Sequence, residues 1–195
     1  MGDRYQTSDG KIRLFTRQQK IVTDTIYRDG FCVSKEEYVR SKYGESAPVF
    51  LTGYLWYVTE AQKIVARPEG AEFPYWSFAE PMDAESSGGG ELLKLEVPLS
   101  EAVFFDTKDW TKILNLSYIG KDSADEAAFM EELRDYGLTT SKVMLGSFYP
   151  ELKKRITDSW QRLFRHHESI KSGDYTGVYT VEAGLWTIKK EWIVG

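Results

Sequence analysis

The chain has 195 residues, 42% of them hydrophobic and 28% charged, which predicts one folded domain around one core rather than a disordered chain. Its net charge of −5 argues against binding to duplex nucleic acid, which needs clustered lysine and arginine. A single cysteine, Cys32, excludes a disulfide framework.

The N-terminal residues are polar, and they lack the apolar segment of a secretory signal. No stretch approaches the roughly 20 apolar residues that a membrane span requires. We therefore expect a cytoplasmic protein without a membrane segment. Residues 1–11 are predicted to be a flexible polar leader, and residues 12–195 a single domain.

The first half of the domain alternates strands and helices. Residues 12–16 read as a short strand, and a helix is predicted from about Gln18 to Asp29, with Gly30 at its C-terminal end and with Ile21, Val22 and Ile26 buried. A capping-box spacing at Ser34 and Glu37 predicts a short helix through Tyr38, Val39 and Tyr43.

Apolar residues at helical spacing predict a longer helix from Leu51 to Val65, which Arg67-Pro68 ends because a residue before proline avoids the α region. A strand over residues 73–79 follows it. Residues 80–90 are rich in serine and glycine near their end and predict a flexible surface loop.

The second half carries further strand and helix signals. They predict strands over 93–97 and 102–105, a helix capped by Asp106, a helix from the capping box of Ser123 and Glu126, a last long helix from Pro150, and strands over 178–188 and 192–194. Without a strict strand–helix alternation, the predicted class is α+β. It is a single domain in which a mixed or antiparallel sheet of short strands packs with about five to six helices.

Several familiar sites are absent from the sequence. It has no GxxxxGK[ST] loop and no GxGxxG turn, which argues against phosphate binding by these glycine loops. His166 and His167 are adjacent on a helix, so they point about 100° apart and cannot bind one metal together. Cys32 has no histidine near it in sequence that would activate a nucleophile. No metal site is expected.

Aromatic residues make up 14% of the chain, with 6 Trp and 12 Tyr. Such an excess is typical of a crevice that binds a ligand through flat side chains, and equally of a core filled by large rings. Both interpretations remain open at the level of sequence.

Several segments, in one order, carry a family resemblance: residues 14–18, 54–56, 73–78, 93–98, 105–115, 159–164 and 185–186. Over about residues 12–194 the chain resembles a bacterial family catalogued as domain of unknown function 3841. Arg17 stands where the family pattern has an aliphatic residue, and Glu182 stands where it has glutamine. The resemblance implies no activity.

The layout is also similar to the fold of the ADP-ribosyltransferases, an NAD-dependent enzyme class. That similarity implies one set of roles, with Thr16 and Arg17 holding NAD, Tyr75, Trp76 and Ser77 forming the pocket floor, and Glu182 as the catalytic carboxylate. Such a site requires Arg17, Tyr75 and Glu182 to meet in one cleft.

A non-catalytic alternative is that a small nucleotide-like ligand stacks on the aromatic residues. The candidate ligand-binding residues are Thr16, Arg17, Gln18, Tyr54, Tyr75, Trp76, Ser77 and Trp186. A third alternative is a protein-interaction or accessory domain whose aromatic residues only fill the core. The sequence names no protein partner, and NAD is the one cofactor that it suggests.

Overall fold

The computed structural model describes residues 5–7, 9–37, 40, 44, 47–85 and 89–194. Its strands are β1 (Lys11–Gln18), β2 (Phe31–Val33), β3 (Tyr75–Phe78), β4 (Glu91–Pro98), β5 (Ala102–Asp106), β6 (Val181–Leu185) and β7 (Thr187–Lys189). Its α-helices are α1 (Lys20–Asp29), α2 (Ala47–Ala61), α3 (Pro81–Glu85), α4 (Thr107–Leu114), α5 (Ser123–Asp135), α6 (Thr140–Leu145), α7 (Pro150–Ser159) and α8 (His167–Lys171). Among these residues no helix is long and apolar enough to cross a bilayer.

The central feature is a five-stranded antiparallel sheet in the order β4-β1-β3-β6-β5. A separate two-stranded sheet pairs β2 with β7. Helices lie on both faces of the larger sheet, which confirms the α+β prediction.

Each face of the sheet packs on its own group of helices. One face presents Ile12, Leu14 and Phe104 to helices α1 and α8, and we call it the α1 face. The other face presents Val103 and Phe105 to helices α2, α4, α5 and α7, and we call it the α2 face. Because side chains alternate along a strand, neighbouring residues of β1 or β6 point to opposite faces.

Both edges of the sheet are covered. The backbone N–H of Val194 donates to the carbonyl of Lys94 at 2.9 Å on the β4 edge. On the β5 edge the backbone N–H of Phe104 donates to Nδ1 of buried His167 at 3.0 Å. These contacts satisfy groups that would otherwise pair with another chain.

The His167 contact predicts a loss of stability in acid. Burial lowers the pKa of His167 below its usual 6.5, with Lys171 adding to the effect. As pH falls below about 6.5 the unfolded chain therefore takes up a proton that the folded protein resists, and stability declines. We expect the wild type to lose more stability than His167→Gln between about pH 7 and pH 5 in urea unfolding, because the substitution removes the imidazole that resists protonation in the folded state. An equal loss in both proteins would contradict this role, and His166→Gln serves as the control.

Most helix ends follow local chemistry. Gly30 closes α1 in the left-handed conformation, with φ of 87°, and Asp106 caps α4 by accepting from the N–H of Lys108, as predicted. The N-cap of α5 is Asp122 and not Ser123, because the Asp122 carboxylate accepts the N–H of Asp125 at 2.8 Å.

Other boundaries differ from the prediction. The predicted surface loop over 80–90 contains helix α3, and the helix predicted to reach Val65 ends as α2 at Ala61. The predicted last long helix is α7, which gives way at Trp160 to a 3-10 helix (Trp160–His166) that α8 follows.

Four further expectations meet different outcomes. Residues Lys190–Trp192 form a 3-10 turn where the final strand was expected to begin, and Ile21, expected in the core, is 62% exposed. Tyr38, Val39 and Tyr43 lie outside the described residues. The leader predicted over residues 1–11 includes Tyr5 and Gln6, which hydrogen-bond to the rest of the domain.

Candidate functional site

Glu182 is a buried acid at the centre of the sheet. It lies on β6, directly opposite Phe78 of β3 and Phe105 of β5, and is 3% exposed. Burial raises the pKa of its carboxyl to about 8, against a hydrogen bond with Thr107 that lowers it. At neutral pH the side chain is therefore mostly protonated, and it can both donate and accept a hydrogen bond.

The charges nearest to Glu182 are negative. Asp83 of α3 and Asp106 of β5 both raise the pKa of Glu182 further. In the part of the chain that the structure describes, neither lysine nor arginine forms an ion pair with Glu182. A buried carboxyl without a cationic partner is costly to the fold, and such groups cluster at functional sites.

Arg17 lies near the end of β1 with a half-buried side chain. One guanidinium nitrogen, Nη1, donates to the carbonyl of Gly90 at 2.7 Å, whereas the buried Nε has no hydrogen-bond partner among the described residues. Arg17 also forms no ion pair with a described carboxylate. Its positive charge is therefore available to an anion.

Strand register places Arg17 and Glu182 on the same face. Phe15 pairs with Phe78, and Phe78 pairs with Glu182, so these three residues share the α2 face. Two residues beyond Phe15 along the antiparallel pair, Arg17 lies opposite Trp76. Strand spacing then separates the Cα atoms of Arg17 and Glu182 by about 12 Å, with Trp76 on the strand between them.

Trp76 is half-buried within a cluster of aromatic rings. Its indole N–H donates to the Tyr54 hydroxyl at 2.8 Å, and its ring centroid lies 4.7 Å from Trp110 and 4.9 Å from Tyr57. The contact with Tyr57 is edge-to-face and the contact with Trp110 is tilted, and together with the hydrogen bond they hold the indole in one orientation. Trp76 and Tyr54 thus form a rigid wall beside the line that joins Arg17 to Glu182.

Four of the predicted site residues lie on the α1 face instead: Thr16, Gln18, Tyr75 and Ser77. Thr16 is on that face of β1, next to Ser77 of β3, and Tyr75 packs in the same cluster with its hydroxyl 3.1 Å from Cys32 Sγ. The condition that Arg17, Tyr75 and Glu182 meet in one cleft is therefore not met, because Tyr75 lies on the opposite side of the sheet. Trp76, the next residue along β3, lies on the face of Arg17 and Glu182.

The hydroxyl groups of Thr16 and Ser77 on the α1 face are buried within the protein. Thr16 Oγ1 donates to the carbonyl of Trp76 at 2.7 Å, and the amide of Gln18 donates to Thr16 Oγ1 at 2.7 Å. Ser77 Oγ is fully buried and has no partner among the described residues. A ligand on the α2 face would not reach Thr16 or Ser77.

Trp186 is buried in the core that the α2 face covers, and its indole N–H donates to the carbonyl of Val65 at 2.8 Å. Trp186 is 4% exposed, so a base could stack on its ring only after the surrounding core rearranged. Trp186 is therefore accounted for as a residue of the core. Its ring has no exposed face on which the predicted ligand could stack.

Two residues of this region were not singled out from the sequence. The hydroxyl of buried Tyr57 has no hydrogen-bond partner among the described residues, and it occupies the place that a Cβ on Gly184 would take. Gly184 lies two positions from Glu182 on the same face of β6. A glycine inside a strand often marks a place where another group approaches the backbone closely, so Gly184 could have indicated this contact from the sequence.

The described residues contain no group of three or more histidine, cysteine, aspartate or glutamate side chains that could hold a metal ion. A family model described as domain of unknown function (DUF3841) matches residues 13–194. No curated protein and no solved structure matches the chain, so the similarity to ADP-ribosyltransferases has no support from these comparisons.

Proposed function

This chain belongs to the DUF3841 family, and we propose that it binds a small nucleotide-like ligand on the α2 face of its sheet. The observation that carries the proposal is the alignment of Arg17, Trp76 and Glu182 on three adjacent strands of that face. Arg17 has no carboxylate partner among the described residues, and Glu182 has no cation there. A ligand with an anionic end and a flat polar end would complement both.

The chemistry of the three side chains fits the parts of a nucleotide. A guanidinium with free donors binds phosphate oxygens through short, charge-assisted hydrogen bonds. A base that contacts an aromatic wall gains about 1–3 kcal/mol from stacking. The protonated carboxyl of Glu182 can donate to one polar atom of a base or ribose and accept from another.

Arg17→Gln tests the anionic end of the proposed site. We expect it to weaken binding of AMP, ADP and NAD at least about tenfold in isothermal titration, because a charged hydrogen bond to phosphate is lost, while a nucleoside without phosphate binds as it does to the wild type. Arg13→Gln is a matched control, since Arg13 lies on the same strand and face but pairs with Glu96.

Two outcomes would count against the proposal. Equal weakening by Arg13→Gln would show only a general effect of charge. Absence of binding and of any thermal shift across the nucleotide panel would leave a protein-interaction domain as the better interpretation.

A second candidate is an ADP-ribosyltransferase-like enzyme, favoured by the common face of Arg17 and Glu182. In that reaction the bond between the ribose C1′ and the nicotinamide nitrogen breaks, and its electron pair leaves with nicotinamide. An acceptor nucleophile then forms a new bond to C1′ and releases its proton to solvent. Ionised Glu182 would stabilise the positive charge on the ribose.

Release of nicotinamide from NAD tests this second candidate. The enzyme interpretation predicts measurable release by the wild type and a loss of at least about 100-fold in Glu182→Gln, because removing one well-placed electrostatic group typically costs that much. No release by the wild type, with nucleotide binding intact, would leave binding alone.

A further inference from the structure

Tyr57 is a buried polar residue of α2 that has no part in the proposed binding site. Its ring lies in the aromatic cluster, with its centroid 4.9 Å from Trp76 and 5.7 Å from Phe105. The side chain is fully buried, and its hydroxyl has no hydrogen-bond partner among the described residues. Leaving a buried hydroxyl unpaired is unfavourable, so its retention requires an explanation.

The position of the hydroxyl is fixed by Gly184. An added Cβ at Gly184 would collide with the hydroxyl oxygen of Tyr57 and would lie 2.8 Å from its Cζ, so the oxygen rests directly on the backbone of β6. Because Gly184 and Glu182 point to the same face two residues apart, the hydroxyl lies beside the path of the Glu182 side chain.

We infer that Tyr57 is a positioning residue for Glu182, whose hydroxyl donates a hydrogen bond to the carboxylate when that group ionises. This inference rests on the proposed function for its purpose, because the positively charged nicotinamide ring of NAD, one of the nucleotides proposed for this site, is what would draw the proton from Glu182 to solvent. In the ligand-free protein at neutral pH the carboxyl of Glu182 keeps its proton. The Tyr57 hydroxyl then has no hydrogen-bond partner among the described residues.

The other groups around Glu182 do not supply this stabilisation. Thr107 of α4 lowers the pKa of Glu182, but its single hydroxyl proton is also directed to the carbonyl of Thr180 at 3.4 Å. Asp83 of α3 and Asp106 of β5 are acidic and oppose ionisation.

Two buried donors on this face have no partner in the described part of the chain, Nε of Arg17 and the hydroxyl of Tyr57. Arg17 lies two strands away from Glu182, whereas the Tyr57 hydroxyl lies against the backbone of β6, the strand of Glu182.

The test is a carbon-13 NMR titration of the Glu182 carboxyl in the protein without nucleotide. Tyr57→Phe is expected to raise the pKa of Glu182 by about one unit or more, because the carboxylate loses a charged hydrogen bond. Fluorotyrosine at position 57, which keeps the ring but is a stronger donor, is expected to lower that pKa. Tyr118→Phe is the control, since that hydroxyl bonds to Asp125 away from the sheet.

Thermal stability gives a second test, because the effect of Tyr57→Phe on the melting temperature should change sign with pH. Below the pKa of Glu182 the Tyr57→Phe variant should melt at the same temperature as the wild type or higher, because it removes an unpartnered hydroxyl. Above that pKa it should melt lower. If neither substitution at Tyr57 moves the Glu182 titration by more than about 0.3 unit, the inference is overturned. The titration uses no nucleotide, so this failure is separate from a failure of nucleotide binding.

Discussion

At about pH 7 the Glu182→Gln variant is expected to be more stable than the wild type, with a free energy of unfolding about 3 kcal/mol higher. The pKa of Glu182 is about 8 in the folded protein against 4.5 in its ordinary state, and the group is completely buried. Between pH 4.5 and pH 7 the unfolded chain releases a proton that the folded protein keeps. That interval is about 2.5 pH units, each worth about 1.4 kcal/mol.

The direction of the pKa shift of Glu182 determines the pH range in which the two proteins differ in stability. Below about pH 4.5 the carboxyl is protonated in both states, so wild type and variant should be equally stable apart from the amide change. As pH rises toward 8 the wild type should lose stability relative to Glu182→Gln, because the folded state resists ionisation. Urea unfolding at several pH values measures the difference directly.

Glu131→Gln is the control for this comparison, because Glu131 is 69% exposed on α5 and should give no such trend. A pH-independent difference between wild type and Glu182→Gln would contradict the raised pKa. A stabilising substitution at a buried acid is the usual sign that the acid is retained for function at the expense of stability.

The Gly184→Ala variant is expected to destabilise the protein by about 3 kcal/mol, at the upper end of the usual cost of overpacking a core. The new methyl group would meet the hydroxyl and ring of Tyr57, and Tyr57 is held by Trp76, Trp110 and Phe105. The ring cannot move aside without breaking these contacts. The free energy of unfolding in urea measures the loss.

Gly89→Ala provides the matched control, because the nearest atom to its added Cβ is 3.9 Å away. Combining Gly184→Ala with Tyr57→Phe should recover part of the loss, since the hydroxyl oxygen is the closest obstacle. A tolerated Gly184→Ala, or strictly additive effects in the double variant, would show that Tyr57 does not rest on Gly184.

Local chemistry was sufficient to predict much of the fold. Gly30 and Asp106 mark helix ends through conformations and hydrogen bonds that depend on the neighbouring residues alone. Alternation of apolar and charged residues over 93–97 predicted a half-buried strand, and β4 contains these residues. The exposure of Ile21 was not predictable in this way, because it depends on how α1 is rotated against the sheet.

The candidate site needed information that no local pattern holds. Arg17 and Glu182 were proposed from a similarity of layout to the ADP-ribosyltransferase fold, but their common face follows from the pairing of β1, β3 and β6, which are distant in sequence. The same register separates Tyr75 from them. Tyr57 reaches the site from helix α2, so its role depends on packing between layers and not on spacing within a segment.

A crystal structure of the protein soaked with AMP or NAD would show where a nucleotide binds. We expect a phosphate oxygen about 3 Å from the Arg17 guanidinium, with the flat ring on the α2 face beside Trp76 and directed toward Glu182. A nucleotide bound at another place on the surface, with Arg17 and Glu182 free of contact, would contradict the proposed binding site.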